Sequence, residues 1–481
     1  MKNIYKIIFS LFLIMTTLLS CQKSFLEIIP KGKLVASKTS DYDFLLNSIS
    51  LTQLYSPTQL GDEVAAMEPY FSSNGNINPR RYFTWEDDIY DPGQDASEIT
   101  VIMRQVYTYN MIINGVMNAE GGSETQKKSI LAEARVGRSS CYFSLVNFYV
   151  KPYTSATAST DLGFPIITEA DASSSDFIRP TSKEVYDFII QDLTKALPDL
   201  PQTVTHRYRA SRPAAEAMLA KVYVFMGKFT DALPLLNSSI STVTASTVIP
   251  IRLYDYNVTF ASGGIFLPIS SSTGPKAPTY NNFEETFYYR YSMNNFAYLW
   301  SDFVLNNETK ALFSSNDLRL KFTSTLPAFA SVPFPNGIIR RLGFPQVQMG
   351  VHLPDLYLLR AECKARLNDL PGAKSDVEIL RSKRMPAADV PVPVNIATNK
   401  AALVKYIFDE RIREYFVTGH RWFDMRRLSV DPEYSNLVKY THTVYNADGS
   451  EGTKYTLKPE RLTMRFNPKL LEQNPRLVNN P

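Results

Sequence analysis

Cysteine, histidine and tryptophan are scarce in this 481-residue chain, at three, four and three residues respectively. The histidines, His206, His352, His420 and His442, lie far apart and show no zinc-type spacing. There is no Gly-x-Ser-x-Gly elbow, no His-Glu-x-x-His pair and no glycine-rich phosphate loop, so the usual local signatures of hydrolases, metallopeptidases and nucleotide enzymes are missing. No resident metal or cofactor is expected. Charge of one sign is lacking too: 51 basic residues face 47 acidic ones, and no basic run suits nucleic acid. Beyond the first twenty residues no segment approaches the roughly 20 apolar residues of a membrane-spanning helix. Two of the three cysteines, Cys141 and Cys363, fall in helical patterns, where a thiol is more often a small buried hydrophobe than half of a disulfide.

What is present begins at the amino terminus. Lys2 and Lys6 precede an apolar stretch from Ile7 to Leu19, the pattern of a secretory signal peptide over residues 1–20. Leu18-Leu19-Ser20-Cys21 has the form of a bacterial lipobox, which predicts cleavage before Cys21 and acylation of that residue. Each buried methylene of such chains is worth about 0.8 kcal/mol, so three acyl chains hold a protein on a bilayer. Gln22 stands where an inner-membrane retention signal would carry Asp, which points to the outer membrane. Removing the leader takes away two lysines and no acid, leaving the formal charge near neutral.

The rest reads as mainly α. Thr181-Ser-Lys-Glu184 is a capping box followed by Val185, Phe188, Ile189, Leu193 and Ala196 on one face. Ser211 and Pro213 open a second helix, and Thr398 is placed as the cap of a third. Further helices are expected over 98–118, 123–149, 354–368 and 371–384. Leu219-Ala220, Tyr223, Gly227 and Ala232 follow tetratricopeptide spacing, and Ala361, Lys364, Asn368 and Ala373 repeat it less faithfully. Two such units do not make a free-standing solenoid, so other material must cover the helices. Segments 50–95, 153–176 and 251–295 lack helical periodicity and are rich in Ser, Thr, Pro, Gly and Asn. They also concentrate aromatic residues.

Several motifs together resemble the SusD/RagB family of outer-membrane lipoproteins. Ser24-Phe-Leu-Glu-Ile-Ile-Pro30 is similar to the family's post-cysteine signature, and Tyr107-x-x-Asn110 with Ile113-Asn114 to its first long helix. Ala132-Glu-Ala-Arg135 with Tyr142-Phe143, Leu358-Leu-Arg-Ala-Glu362, Asp409-Glu-Arg-Ile-Arg-Glu414 and Gly419-His-Arg-Trp-Phe-Asp424 with Arg426-Arg427 resemble later motifs. Asn467-Pro468 and Gln473-Asn474-Pro475 resemble the closing segment, although Met464-Arg-Phe466 replaces its usual lead-in. The resemblance implies a tetratricopeptide-like helical superhelix covered by a long irregular, loop-rich region. It implies an N-terminal region over 21–250 and a C-terminal region over 251–481 packing on the same core. It also implies a glycan-binding lipoprotein facing the cell exterior, which hands its ligand to a SusC-like TonB-dependent transporter. Peptide-binding relatives share the architecture; a glycosidase or a purely protein-binding scaffold are more distant alternatives.

Two groups of residues compete for the role of site. Glu410, Arg411, Arg413, Glu414, Arg421, Asp424, Arg426 and Arg427 form a dense charged motif. Carboxylates interleaved with arginines on one helix face normally pin neighbouring helices, and Gly419 suits the helix C-cap of a corner there. Trp85 lies in the first irregular segment and Trp300 just beyond the third, and a tryptophan face suits the apolar C–H face of a sugar ring. Trp85 precedes Glu86 and Asp87, which offer acceptors for hydroxyl groups. The candidate ligand-binding residues are therefore Trp85, Trp300, Asp62, Tyr82, Asp87 and Tyr289.

Overall fold

The computed structural model describes residues 36–55, 58–171, 177–279, 282–294 and 300–481. The leader, Cys21 and the segment Ser24–Pro30 lie outside the described residues. Nine helices carry the scaffold: α1 Ser97–Gly115, α2 Glu124–Tyr149, α3 Ser182–Ala196, α4 Arg212–Phe225, α5 Phe229–Thr244, α6 Leu353–Arg366, α7 Leu370–Arg381, α8 Lys400–Tyr415 and α9 His420–Ser429. Their starts are locally encoded. Ser123 Oγ accepts from Gln126 N at 3.1 Å, and Thr181 and Glu184 exchange reciprocal bonds across the first turn of α3. α8 opens one residue later than Thr398 suggests. Asn399 is its cap, accepting from Ala402 N at 3.0 Å, while Thr398 closes a short preceding helix, Val394–Ala397, by donating to Val394 O.

Consecutive helices pack as antiparallel pairs, α4 with α5 and α6 with α7, and α5 and α6 join the pairs. Ala220, Ala232, Ala361 and Ala373 are all fully buried, so small side chains let the backbones approach. The turns of the two repeats match. Gly227 has φ +72° and Asn368 φ +74°, so an amide occupies the left-handed seat that glycine fills in the other unit. Cys141 and Cys363 are buried and free.

Between the helices lie short strands that the sequence pattern did not disclose. β1 Val64–Met67, β2 Phe303–Leu305, β3 Thr441–Tyr445 and β4 Glu451–Thr456 form one sheet in the order β4-β3-β1-β2. β1 runs antiparallel to β2, with Val64 opposite Leu305, and parallel to β3, with Ala66 opposite Val444. A helical core runs through both halves of the chain and takes in residues from Tyr42 to Leu477. A second, aromatic core under the sheet gathers Phe71, Phe83, Tyr254, Phe266, Phe283, Tyr289, Phe303 and Phe322. Much of the aromatic content of the cover is therefore structural. Among the described residues no helix is long and apolar enough to cross a membrane.

Candidate functional site

The structure separates the six candidate residues. Trp85 was expected on a solvent-facing loop; it is 5% exposed and stacks on His442 with ring centroids 3.7 Å apart. Its indole Nε1 donates to Leu60 O at 3.3 Å. Asp62, read as a ligand contact, is buried in a bidentate pair with Arg421 at 2.6 and 2.9 Å and also accepts from Lys439 N. Its recess, shared with Lys405 and Lys439, is separate from either tryptophan. Tyr289 is fully buried and donates to Gln346 Oε1 at 2.9 Å. Asp87 is half exposed and faces Arg461 at 3.1 Å. Each of these four displacements has the same cause: a partner far along the chain reaches the residue and takes it out of solvent or neutralises it.

The charged motif is a packing device. Glu410, buried on α8, accepts from Arg319, Arg381 and Arg413 at 2.6–3.0 Å. Glu414 accepts from Arg384 and Arg319. Arg411 donates to Asp424 of α9 at 2.7 Å and to Asp355 of α6 at 2.9 Å, and Arg427 clasps Glu362 with two bonds of 2.7 Å. Burial works against ionisation of Glu410, yet Arg319, Arg413 and Arg381 hold its carboxyl well below the usual range. Glu414 is pressed down in the same way by Arg384 and Arg319 against burial. A general acid needs the opposite shift. The corner itself is real, but Gly419, with φ +87°, sits directly before α9 and not at the C-cap of α8.

Trp300 and Tyr82 do come together. They line a cleft of about 370 Å3 with Tyr55, Tyr90, Met293, Thr58, Gln59, Asn74, Asn76, Asn78, Pro79 and Ser97, inside the roughly 300–1,000 Å3 typical of small-molecule clefts. Trp300 is 39% exposed. The tyrosines form a fixed wall. Tyr82 and Tyr90 hydroxyls lie 2.9 Å apart, and both donate to Glu98, as does Tyr149. Burial pushes the Glu98 carboxyl up, partly offset by these hydroxyl donors. On the opposite wall Asn74 Nδ2 donates to buried Asp302 at 2.6 Å and its Oδ1 accepts from Asn76 N. Asn76 in turn caps the short helix Ile77–Phe83 through Asn78 N. Asn78 Oδ1 is buried and accepts no hydrogen bond from the described residues. Flat rings beside amides with spare hydrogen-bonding capacity can hold a ligand that has both apolar faces and hydroxyl groups. The amide wall was missed from sequence, although the run Asn74-Gly-Asn-Ile-Asn78 was visible as a patch of short amides with no charge.

Helix pairs of tetratricopeptide type, with a cleft in an aromatic-cored cover, define a class of repeat scaffold. Residues 25–224 match the SusD-like family described as starch-binding and associating with the outer membrane, and residues 353–481 match the SusD family. The chain belongs to the SusD/RagB family. A SusD-like protein P2 of Formosa agariphila is 31% identical over 147 residues, which is 29% of this chain and 26% of that protein. The match thus spans about a quarter of the relative's length. A SusD-like carbohydrate-binding protein of Bacteroides vulgatus superposes with a TM-score of 0.64 at 16% identity, covering 92% of this chain and 98% of that one. A laminarin-binding SusD-like protein gives 0.61 at 18%, covering 93% and 99%. At such identities the structural likeness shows the fold, which is mainly α.

Proposed function

We propose that this protein binds oligo- or polysaccharide in the Trp300 cleft at the outer cell surface and passes it to a SusC-like TonB-dependent transporter, without catalysing a reaction on it. The observation that carries the reading is the meeting of a half-exposed tryptophan with a tyrosine wall and three asparagines in one cleft. A pyranose ring stacks its C–H face on an aromatic plane while its hydroxyls need amide and hydroxyl partners. The family's association with the outer membrane agrees with the lipobox at Cys21, which anchors the chain by acyl chains in this reading. The two carboxylates of the charged corner are locked to arginines, so they serve the scaffold and leave binding to the cleft.

Titration calorimetry of mature protein against a panel of oligosaccharides and peptides tests the assignment. Trp300→Ala should weaken oligosaccharide binding about thirtyfold, the loss of roughly 2 kcal/mol that accompanies truncation of an aromatic hot spot. Its melting temperature should stay within a degree or two, since the ring is partly outside the core. Unchanged glycan affinity in the variant would move the site elsewhere, and selective binding of peptides would change the ligand class.

A further inference from the structure

The cleft is polar without being charged. Its hydrogen-bonding groups are amides, hydroxyls and an indole, and among the described residues no Asp, Glu, Lys, Arg or His lines it. The sequence stretches Ser56-Pro57 and Asn295–Leu299, next along the chain to lining residues, contain no charged residue either. The arginines closest in sequence are engaged elsewhere: Arg81 pairs with Asp91 at 2.8 Å, and the Arg80 guanidinium lies over the Phe71 ring at 5.4 Å.

Two buried carboxyl groups stand behind the lining residues. Glu98 sits under Tyr82 and Tyr90, held by tyrosine hydroxyls, and Asp302 sits behind Asn74, held by its amide. Both are buried, and among the described residues no basic side chain pairs with either. A carboxylate or sulfate entering such a cleft loses its hydration without meeting a cation, which is costly. Sites built for anionic groups present arginine forks or lysines instead. A neutral sugar meets no such barrier: its hydroxyls find amide partners at Asn74 and Asn76 and a hydroxyl partner at Ser97.

We propose that the Trp300 cleft selects uncharged oligosaccharides and rejects those carrying carboxylate or sulfate groups. This rests on the glycan reading above and narrows it to a substrate class.

The test is calorimetry on mature protein at about 0.15 M salt, where surface charges beyond about 8 Å are screened. The probes are neutral glucans, mannans, xylans and galactans beside polygalacturonate, alginate and sulfated galactans. At least one neutral polymer should bind in a Trp300-dependent manner, with every anionic polymer about tenfold weaker or more, the size of one unfavourable charge interaction through protein. Met293→Lys, at a lining position that is 43% exposed, should raise affinity for anionic polymers by about tenfold in a salt-sensitive way. An anionic polymer bound by the wild type as tightly as its neutral counterpart, and lost in Trp300→Ala, overturns the selectivity while leaving the glycan reading in place. Folded protein that binds no polymer of either kind overturns both.

Discussion

Trp85 illustrates how one side chain can look functional in sequence and be structural in the fold. The helix Ile77–Phe83 ends with Glu86 N donating to Arg81 O at 3.0 Å and Trp85 N donating to Tyr82 O at 3.2 Å, the paired bonds of a Schellman stop. Trp85 occupies the seat glycine usually takes, with φ +53°, an arrangement that costs a residue with a Cβ about 1–2 kcal/mol. Stacking on His442, itself sandwiched against Phe83, offsets that strain. Burial pushes the His442 pKa down to about 4, against the pull of carbonyls at Phe83 and Gly61 that lie 2.7 and 2.8 Å from its ring nitrogens. Trp85→Ala should therefore destabilise the fold by about 3–5 kcal/mol, as for other buried tryptophans. Denaturant melts would show this, and the folded fraction should keep its oligosaccharide affinity. A stable variant with weakened binding would return Trp85 to the site. None of this was legible from Trp85 and its acidic neighbours, because the decisive partner lies on β3, hundreds of residues away.

At the scale of elements, helices were readable and strands were not. Capping boxes, proline starts and apolar periodicity are local signals, and they placed the starts of α1 to α4 and α6 to α8 to within a few residues. The strands are two to six residues long, and several, β1 among them, pair across long stretches of chain, so little alternation could build up over one segment. The corner between α8 and α9 was readable as packing because arginines and carboxylates alternate at helical spacing there. Its geometry yields a firm expectation. Arg411 joins α8 to α9 and α6 through Asp424 and Asp355, both buried. Arg411→Ala leaves Asp355 with Lys221 and Asp424 with Arg427 as their remaining cations, and should cost about 3 kcal/mol, visible as a lowered melting temperature. Ligand affinity per folded molecule should be unaltered; selective loss of affinity with normal stability would place the corner in the site.

For the whole molecule, the residues of the cleft were legible only in part. Trp300 and Tyr82 were singled out from sequence, whereas the amides became apparent only when 74–78 and 300 were brought into one cleft. The anchor rests on sequence at Cys21, and its expectation is cellular. Cys21→Ser should leave the protein out of the outer-membrane fraction, read by fractionation and immunoblot; unchanged partition after washing without detergent would refute lipid anchoring. The sheet has a further consequence, for the order in which the chain can fold. β1 is central and wholly buried, yet its partners are Phe303–Leu305 and Thr441–Tyr445. A chain delivered amino terminus first offers Val64–Met67 as an unpaired, apolar strand until Phe303–Leu305 has arrived, and with one edge open until Thr441–Tyr445 follows. Long-range pairing of this kind is slow and exposes edges to aggregation. The helix pairs, whose contacts are local, can form as they emerge, so the cover that carries the cleft is the last part to be completed. Completion of the central sheet is thus tied to Thr441–Tyr445, and substitutions that break this pairing should loosen the cover before the local helix pairs.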